Sequence, residues 1–153
     1  MVDVSTLLSY LSESHKYYVE ERLPHIEFHL KRIIDACPDK FGNTINRFFS
    51  EYKDEVSNHF KYEENVVFPY INSLYNKSQK PEFTISEFKS NHSNIEDKLN
   101  DLMNILIKYL PSNIFPKERV EISIDIMEIT SDLNCHTLVE ERILVPLVEM
   151  MED

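Results

Sequence analysis

Apolar residues along this chain recur at alternating steps of four and three over long stretches, the period of a helix that buries one stripe. The last stretch carries the cleanest stripe: Ile122, Ile126, Ile129, Leu133, His136, Glu140, Ile143 and Leu147. An earlier stretch repeats it as Ile45, Phe49, Tyr52, Val56, His59, Glu63, Val66 and Tyr70, each 77 residues before its counterpart. Histidine and glutamate interrupt both aliphatic stripes at the same two steps. A third stripe runs Ile85, Phe88, His92, Ile95, Leu99, Leu102, Leu106 and Tyr109, and the residue 77 before His92 is His15, in the first stretch. The pattern predicts a duplicated helical hairpin.

Breaks fall at ACPDKFGN (36–43), NKSQKPEFT (76–84) and LPSNIFPK (110–117), each holding Pro, Gly, Asn or Ser. Three breaks leave four helices. Thr84 followed three residues later by Glu87 has the form of a capping box, and Pro116 suits a first helical turn, so starts are expected near 84 and 116. Asn-Gly and Asp-Gly hairpin turns are missing, as are runs of short alternating segments, so the strand signal is weak. Short connections join antiparallel neighbours, so the expected fold is all-α: one domain over residues 1–153, an up-down-up-down four-helix bundle. In the first helix Leu8, Leu11, His15 and Tyr18 follow one phase, while Leu23, Ile26, Leu30 and Ile33 continue one residue out of step. Pro24 lies at the slip, and a kink is expected there.

In an antiparallel hairpin, residues equidistant from the turn share a height. The midpoint of His15 and His59 is 37, that of His59 and His92 is 75.5, and that of His92 and His136 is 114, each in or beside a predicted break. All four histidines therefore share nearly one level. Glu63 and Glu140 follow their histidines by four residues, on the same face one turn on. A Glu at that distance from a single His is a cheap coincidence; six donors converging in one layer are not. Buried among Ile, Leu and Val without partners, two carboxylates cost several kcal/mol each. No Lys or Arg lies near that level on the three clean stripes, so a metal is the simplest compensation.

His15, His59, Glu63, His92, His136 and Glu140 are the candidate ligands. Six donors with two carboxylates able to bridge suit two ions, and imidazole plus carboxylate ligation is compatible with Fe, Mn or Zn. Each ion would keep vacancies for an oxo bridge and for a small ligand such as O2 or NO, which points to chemistry rather than to a structural staple. His25 and His29 are also four apart but lie past Pro24 and off the apolar phase, and read as surface residues. Glu96 sits beside its stripe, an outward or supporting carboxylate; Glu64 and Glu141 are expected to point away from the core. Cys37 and Cys135 read as small packing residues.

Composition narrows the rest. A single glycine, Gly42, cannot build a nucleotide-phosphate loop. A net charge of -11 repels nucleic acid. No apolar run approaches the roughly 20 residues of a membrane span, the N-terminal stretch lacks signal-peptide character, and two cysteines without CxxC spacing imply reduced thiols. A cytoplasmic protein with no membrane partner is expected.

The strings HFKYEENVVFP (59–69) and HTLVEERILVP (136–146) resemble the paired signatures of the hemerythrin-like, or HHE cation-binding, family, and the resemblance covers nearly the whole chain. Within that family the chain is most similar to the di-iron proteins for repair of iron centres; SHKYY around His15 and SNHSNIE around His92 match the other two histidine positions. The resemblance implies that His15, His59, His92 and His136 ligate two oxo-bridged iron ions while Glu63 and Glu140 bridge them. It further implies a role in nitrosative and oxidative stress, with O2 or NO as ligand and iron-sulfur proteins as partners. Glu96 stands where oxygen-carrying members place a second histidine of the third helix, so the likeness does not extend to reversible oxygen transport. Bacterial repair proteins commonly carry a small N-terminal domain with a cysteine motif, whereas this chain starts almost at the bundle.

The ligand set together with the resemblance leaves two classes of function: a stress-defence protein that binds O2 or NO and donates iron to damaged clusters, as the resemblance implies, or a sensor or metal-binding module without repair activity. Whether the chain is an enzyme stays open. A ferritin-like oxidase would need Glu-x-x-His pairs, and none of the six histidines has Glu three residues before it. A purely structural bundle would gain stability if Glu63 and Glu140 became apolar.

Overall fold

The computed structural model describes residues 3–77, 83–91 and 96–153, and these hold helices and short connections with no strand among them. Helix α1 spans residues 4–36, α2 residues 39–75, α3 Ile85–Asn91, α4 residues 96–109 and α5 residues 116–152. They form a four-helix bundle in which α3 and α4 together fill the third position. The Asp3 carboxylate caps α1 by accepting from the Thr6 amide at 3.1 Å.

The first connection is shorter than the break predicted at 36–43. Helix α2 already starts at Asp39, so Gly42 is helical and buried. A Cβ on Gly42 would lie 3.0 Å from the Ile34 carbonyl oxygen and 3.5 Å from Ile34 Cγ2. Glycine here lets two helices meet at a tight corner rather than ending one. The expected starts near 84 and 116 coincide with α3 at Ile85 and α5 at Pro116. The end of α4 is held by Arg119, which donates from Nε to the Leu106 carbonyl and from Nη1 to the Pro111 carbonyl, each at 2.8 Å. The guanidinium thereby caps a last-turn carbonyl of α4 and ties it to the Pro111 carbonyl, which also accepts from the Ile114 amide at 3.2 Å.

Among the described residues there are four π-helical turns, Tyr18–Arg22, Glu63–Val67 and Glu140–Leu144 within the rods and Ile105–Tyr109 at the end of α4. Three stand directly before a proline in the second position of the next segment, namely Pro24, Pro69 and Pro146. Proline has no N–H and its ring clashes with the carbonyl four residues back. The last amide before each proline instead donates five residues back: Leu23 to Tyr18, Phe68 to Glu63 and Val145 to Glu140. Each turn therefore adds one residue to the helical phase. The slip expected at Pro24 takes this form.

The same device corrects three stripe positions. Val66 and Ile143 are 39% exposed, and the core continues instead through the fully buried Val67 and Leu144. Tyr109 is 65% exposed, with Leu110 buried in its place, since Pro111 forces Leu110 into an extended conformation after the π-turn. Leu147 is half-buried beside the fully buried Val148. Cys135, expected to pack, is exposed, while Cys37 packs partly against the core. His92 and Ile95 lie outside the described residues.

Among the described residues the core falls into two apolar regions along the bundle. One gathers Tyr18, Ile26, Tyr52, Phe60, Leu102 and Leu133 among others; the second gathers Leu11, Val67, Phe68, Phe88, Leu144 and Val148 among others. Between them on α1, α2 and α5 lie the buried polar residues His15, Glu63, His136 and Glu140. A polar layer crosses the middle of an apolar bundle.

Candidate metal centre

His15 comes from α1, His59 and Glu63 from α2, and His136 and Glu140 from α5, each presented by the stripe that also supplies the aliphatic core. Glu63 and Glu140 are each the first residue of a π-turn. Two groups of ligand atoms result, His15 with Glu63 and His136, and His59 with Glu63 and Glu140, the atoms of each group within 4.8 Å of one another. Glu63 belongs to both.

Its two oxygens face different histidines. Glu63 Oε1 is 2.8 Å from His15 Nε2 and 3.6 Å from His136 Nε2, whereas Oε2 is 3.0 Å from His59 Nε2. Glu140 Oε1 lies 2.6 Å from His136 Nε2, and the Nε2 atoms of His15 and His136 are 3.2 Å apart. Donors sharing one ion at about 2.1 Å, with angles of 90–110°, stand about 3.0–3.4 Å from each other. The His15–His136 and His59–Glu63 separations fall in that range. Two imidazole nitrogens and a carboxylate oxygen turned toward one point need a cation or shared protons between them. Among the described residues no Lys or Arg pairs with Glu63, so the donor set fits a metal.

Without an ion the cluster is coupled through protons. Burial alone would raise the Glu63 carboxyl, but hydrogen bonds from His136, His15 and His59 hold it well below the ordinary carboxylate range. Burial opposes charge on His136, yet the Glu140 and Glu63 carboxylates override it and lift its pKa to about 9.

A supporting layer fixes the rings. His15 Nδ1 donates to Glu64 Oε1 at 2.8 Å, and Ser12 Oγ donates to Glu64 Oε2 at 3.0 Å. His136 Nδ1 lies 3.1 Å from Ser14 Oγ. Both imidazoles are thereby turned with Nε2 inward. The His15 ring stacks on Phe60 at 4.0 Å between centroids and lies parallel to Phe68 at 5.7 Å. Glu64, expected to point away, is only 39% exposed at its side chain and reaches back to His15. The doubled glutamate of both motifs was the available signal, and it goes unread when a helix is treated as having strict inner and outer faces. Glu141 is exposed.

Cavities among the described residues reach the layer. One of about 490 Å³ lies between α1 and α5, lined by Tyr10, Ser14, Tyr17, Tyr18, Asp132 and His136 among others. Another, of about 400 Å³, lies between α1 and α2 and includes His15, Lys16, Phe60, Lys61 and Glu64. Small molecules thus have room beside a histidine of the cluster on either side of α1. Of the six sequence candidates, His15, His59, Glu63, His136 and Glu140 are brought together, and His92 lies outside the described residues. His25 and His29 are not part of the cluster. No helix among the described residues is long and apolar enough to cross a membrane.

Compared with known families, residues 7–149 match the profile described as Hemerythrin HHE cation binding domain. No curated protein and no solved structure matches the chain.

Proposed function

This chain belongs to the hemerythrin HHE cation-binding domain family, and from that premise we propose that it is a non-haem di-iron protein of nitrosative and oxidative stress defence that binds O2 or NO. One observation carries the reading: the two oxygens of Glu63 face two separate donor groups, His15 with His136 on one side and His59 on the other. A single ion would use one group; two ions use both. His15, His136 and Glu63 Oε1 would hold one iron, and His59, Glu63 Oε2 and Glu140 the other, with His92 as a further ligand on the strength of the sequence repeat.

Iron bound there supplies one-electron chemistry and coordination positions for a diatomic ligand. The chain's own residues supply the rest. Glu64 and Ser14 hold the His15 and His136 rings by Nδ1, so that each Nε2 stays directed inward. Phe60 and Phe68 flank the His15 ring and exclude water from it. The cavity that ends at His136 gives a small neutral gas access without opening the bundle.

Donation of iron to damaged iron-sulfur proteins is the second part of the proposal. It is favoured by the cavity at His15 and Glu64, where a ligand histidine is one side chain away from solvent. Anaerobic reconstitution with ferrous iron tests the first part: about two irons per chain by elemental analysis, and a visible spectrum that changes when NO or O2 is admitted. A chain that takes up no iron, or whose spectrum ignores both gases, overturns it. The second part is tested by asking whether the loaded protein restores a damaged cluster enzyme better than free ferrous iron. A gas response without such transfer makes the protein a sensor.

A further inference from the structure

The cavity of about 490 Å³ between α1 and α5 narrows inward like a funnel. Glu13, Tyr17, Asp132 and Cys135 at its rim are exposed, Ser14 is half-buried, and Phe60, Leu133 and His136 at its floor are buried. His136 turns its Nε2 to the donor cluster, 3.2 Å from that of His15. A residue of the cluster thus lines an opening to solvent. A diatomic gas leaves most of that volume unused, whereas a divalent ion with six waters takes about 180 Å³ at roughly 30 Å³ per water. The cavity has room for an ion that has not yet shed its hydration shell.

Charge separates this opening from the one on the other side of α1. The α1–α5 cavity is lined by two carboxylates, Glu13 and Asp132, and by no Lys or Arg among the described residues. Arg22, one turn beyond Tyr18, is occupied by Glu128 at 3.2 Å. The α1–α2 cavity carries Lys16 and Lys61 instead, and of its two carboxylates Glu64 is taken by His15 and Ser12, which leaves Glu20. A cleft whose charges share one sign focuses the field and concentrates ions of the opposite sign. A cation is therefore drawn to the first opening and meets two ammonium groups at the second. Its destination is given independently of the acids, by His136 at the cavity floor and by the buried Glu140, whose Oε1 lies 2.6 Å from His136 Nε2.

We propose that divalent metal ions enter the cluster through the α1–α5 cavity, where Glu13 and Asp132 form an electrostatic mouth for the hydrated cation and His136 is the first ligand it meets. The inference rests on the reading of the interior cluster as a metal centre and adds the path by which that centre fills. Loading exchanges water for imidazole and carboxylate at the ion and involves no change of oxidation state.

Stopped-flow mixing of the metal-free full chain with Co(II), read by the visible absorption of histidine-bound cobalt, measures the loading rate. The double variant Glu13→Gln/Asp132→Asn is expected to load about tenfold more slowly than wild type at low ionic strength. That difference should vanish near 1 M salt, where the Debye length is about 3 Å. The final ion count should be unchanged, since neither residue belongs to the donor groups. Glu20→Gln/Asp101→Asn removes the same charge at the other opening and on α4, from exposed positions, and should load like wild type. Cys135→Trp sets an indole in the mouth and should slow loading at every salt concentration. Wild-type rates in Glu13→Gln/Asp132→Asn overturn the path, and so does equal slowing in Glu20→Gln/Asp101→Asn, which makes overall charge the cause. Unaltered loading in Cys135→Trp overturns it as well. A wild type that takes up no metal removes the metal centre and the path together, whereas a wild type that fills no faster than Glu13→Gln/Asp132→Asn removes the path alone.

Discussion

Glu63 contributes to both donor groups and Glu140 to one, so replacing each by its isosteric amide should have unequal effects. Glu63→Gln removes the carboxylate that faces His15 and His136 through one oxygen and His59 through the other, and is expected to abolish loading of both ions. Glu140→Gln removes one contact of His136 but keeps the Glu63 carboxylate between His15, His136 and His59, and is expected to keep one ion. An ion at a free concentration about a hundred times its Kd stabilises the folded state by about 2.7 kcal/mol, and two independent ions by about 5 kcal/mol. For a chain of this size each kcal/mol moves Tm by about 2–4 °C. Metal should therefore raise the Tm of wild type by about 10–20 °C, that of Glu140→Gln by about half as much, and that of Glu63→Gln by almost nothing. The fold should survive both changes, because a glutamine amide can still accept from one imidazole and donate to another. Scanning calorimetry with and without ferrous iron, alongside elemental analysis, reads both quantities. A Glu63→Gln protein that keeps two ions, or an equal loss in the two variants, would refute the assignment of Glu63 as the shared ligand.

Four further outcomes are expected. Glu64→Gln, which weakens the hold on His15 without touching the donors that face inward, should lower metal affinity about 10–100-fold in chelator competition; an unchanged affinity would show that His15 is oriented by its ring contacts alone. Arg119→Ala strips the end of α4 of charge-assisted hydrogen bonds to the Leu106 and Pro111 carbonyls and should cost about 2–3 kcal/mol in urea unfolding, and a loss below about 0.5 kcal/mol would contradict that role. Gly42→Val should destabilise by about 1–3 kcal/mol although glycine is the poorer helix former, because its Cβ meets the Ile34 carbonyl at 3.0 Å; a gain in stability would mean that the α1–α2 corner yields freely. In the metal-free protein His136 has its pKa raised from 6.5 to about 9, so its contribution is complete below pH 6.5 and lost as pH climbs through 9, while that of Glu63, depressed below 4.5, is present above pH 4.5 and lost on acidification. The unfolding free energy of the metal-free protein should then fall between pH 6.5 and 9, by an amount on the order of 3 kcal/mol in urea titrations, and a flat profile over that window would oppose it.

Much of the fold was legible because the stripes on the second and last helices are copies 77 residues apart, and a duplicated pattern with short breaks leaves few arrangements other than a bundle. The convergence of His15, His59, Glu63, His136 and Glu140 was legible for a related reason, since in an antiparallel bundle height follows from sequence distance to the turn. What escaped was phase. Stripes read at a steady four-three step carry Val66, Ile143 and Tyr109 inward, and the π-turns put Val67, Leu144 and Leu110 there instead. Pro69 and Pro146 stand six residues after Glu63 and Glu140, as Pro24 stands six after Tyr18, so the slip foreseen at Pro24 could have been foreseen at all three. Glu64 escaped because the direction of a Cα–Cβ bond does not fix where a long, flexible carboxylate ends, and its partner His15 is 49 residues away in sequence.

Those prolines also tie the backbone to the site. The carbonyl of Glu63 accepts from the Phe68 amide five residues on, where an unbroken α-helix would take the amide of Val67. The extra residue turns Val66 toward solvent, brings Val67 and Phe68 into the core, and lays the Phe68 ring parallel to His15 at 5.7 Å. Glu140 and Val145 repeat the turn on α5, where Leu144 and Val145 become the buried residues. The widened turn thus lets a buried carboxylate be followed at once by bulky apolar side chains that close the layer from above. Proline enforces this locally, by removing an amide and crowding a carbonyl, whatever the side chains of the layer hold. The motif's proline therefore lies on the same causal path as its histidine and glutamate: it sets the phase that returns the chain to the core immediately after the carboxylate has been placed.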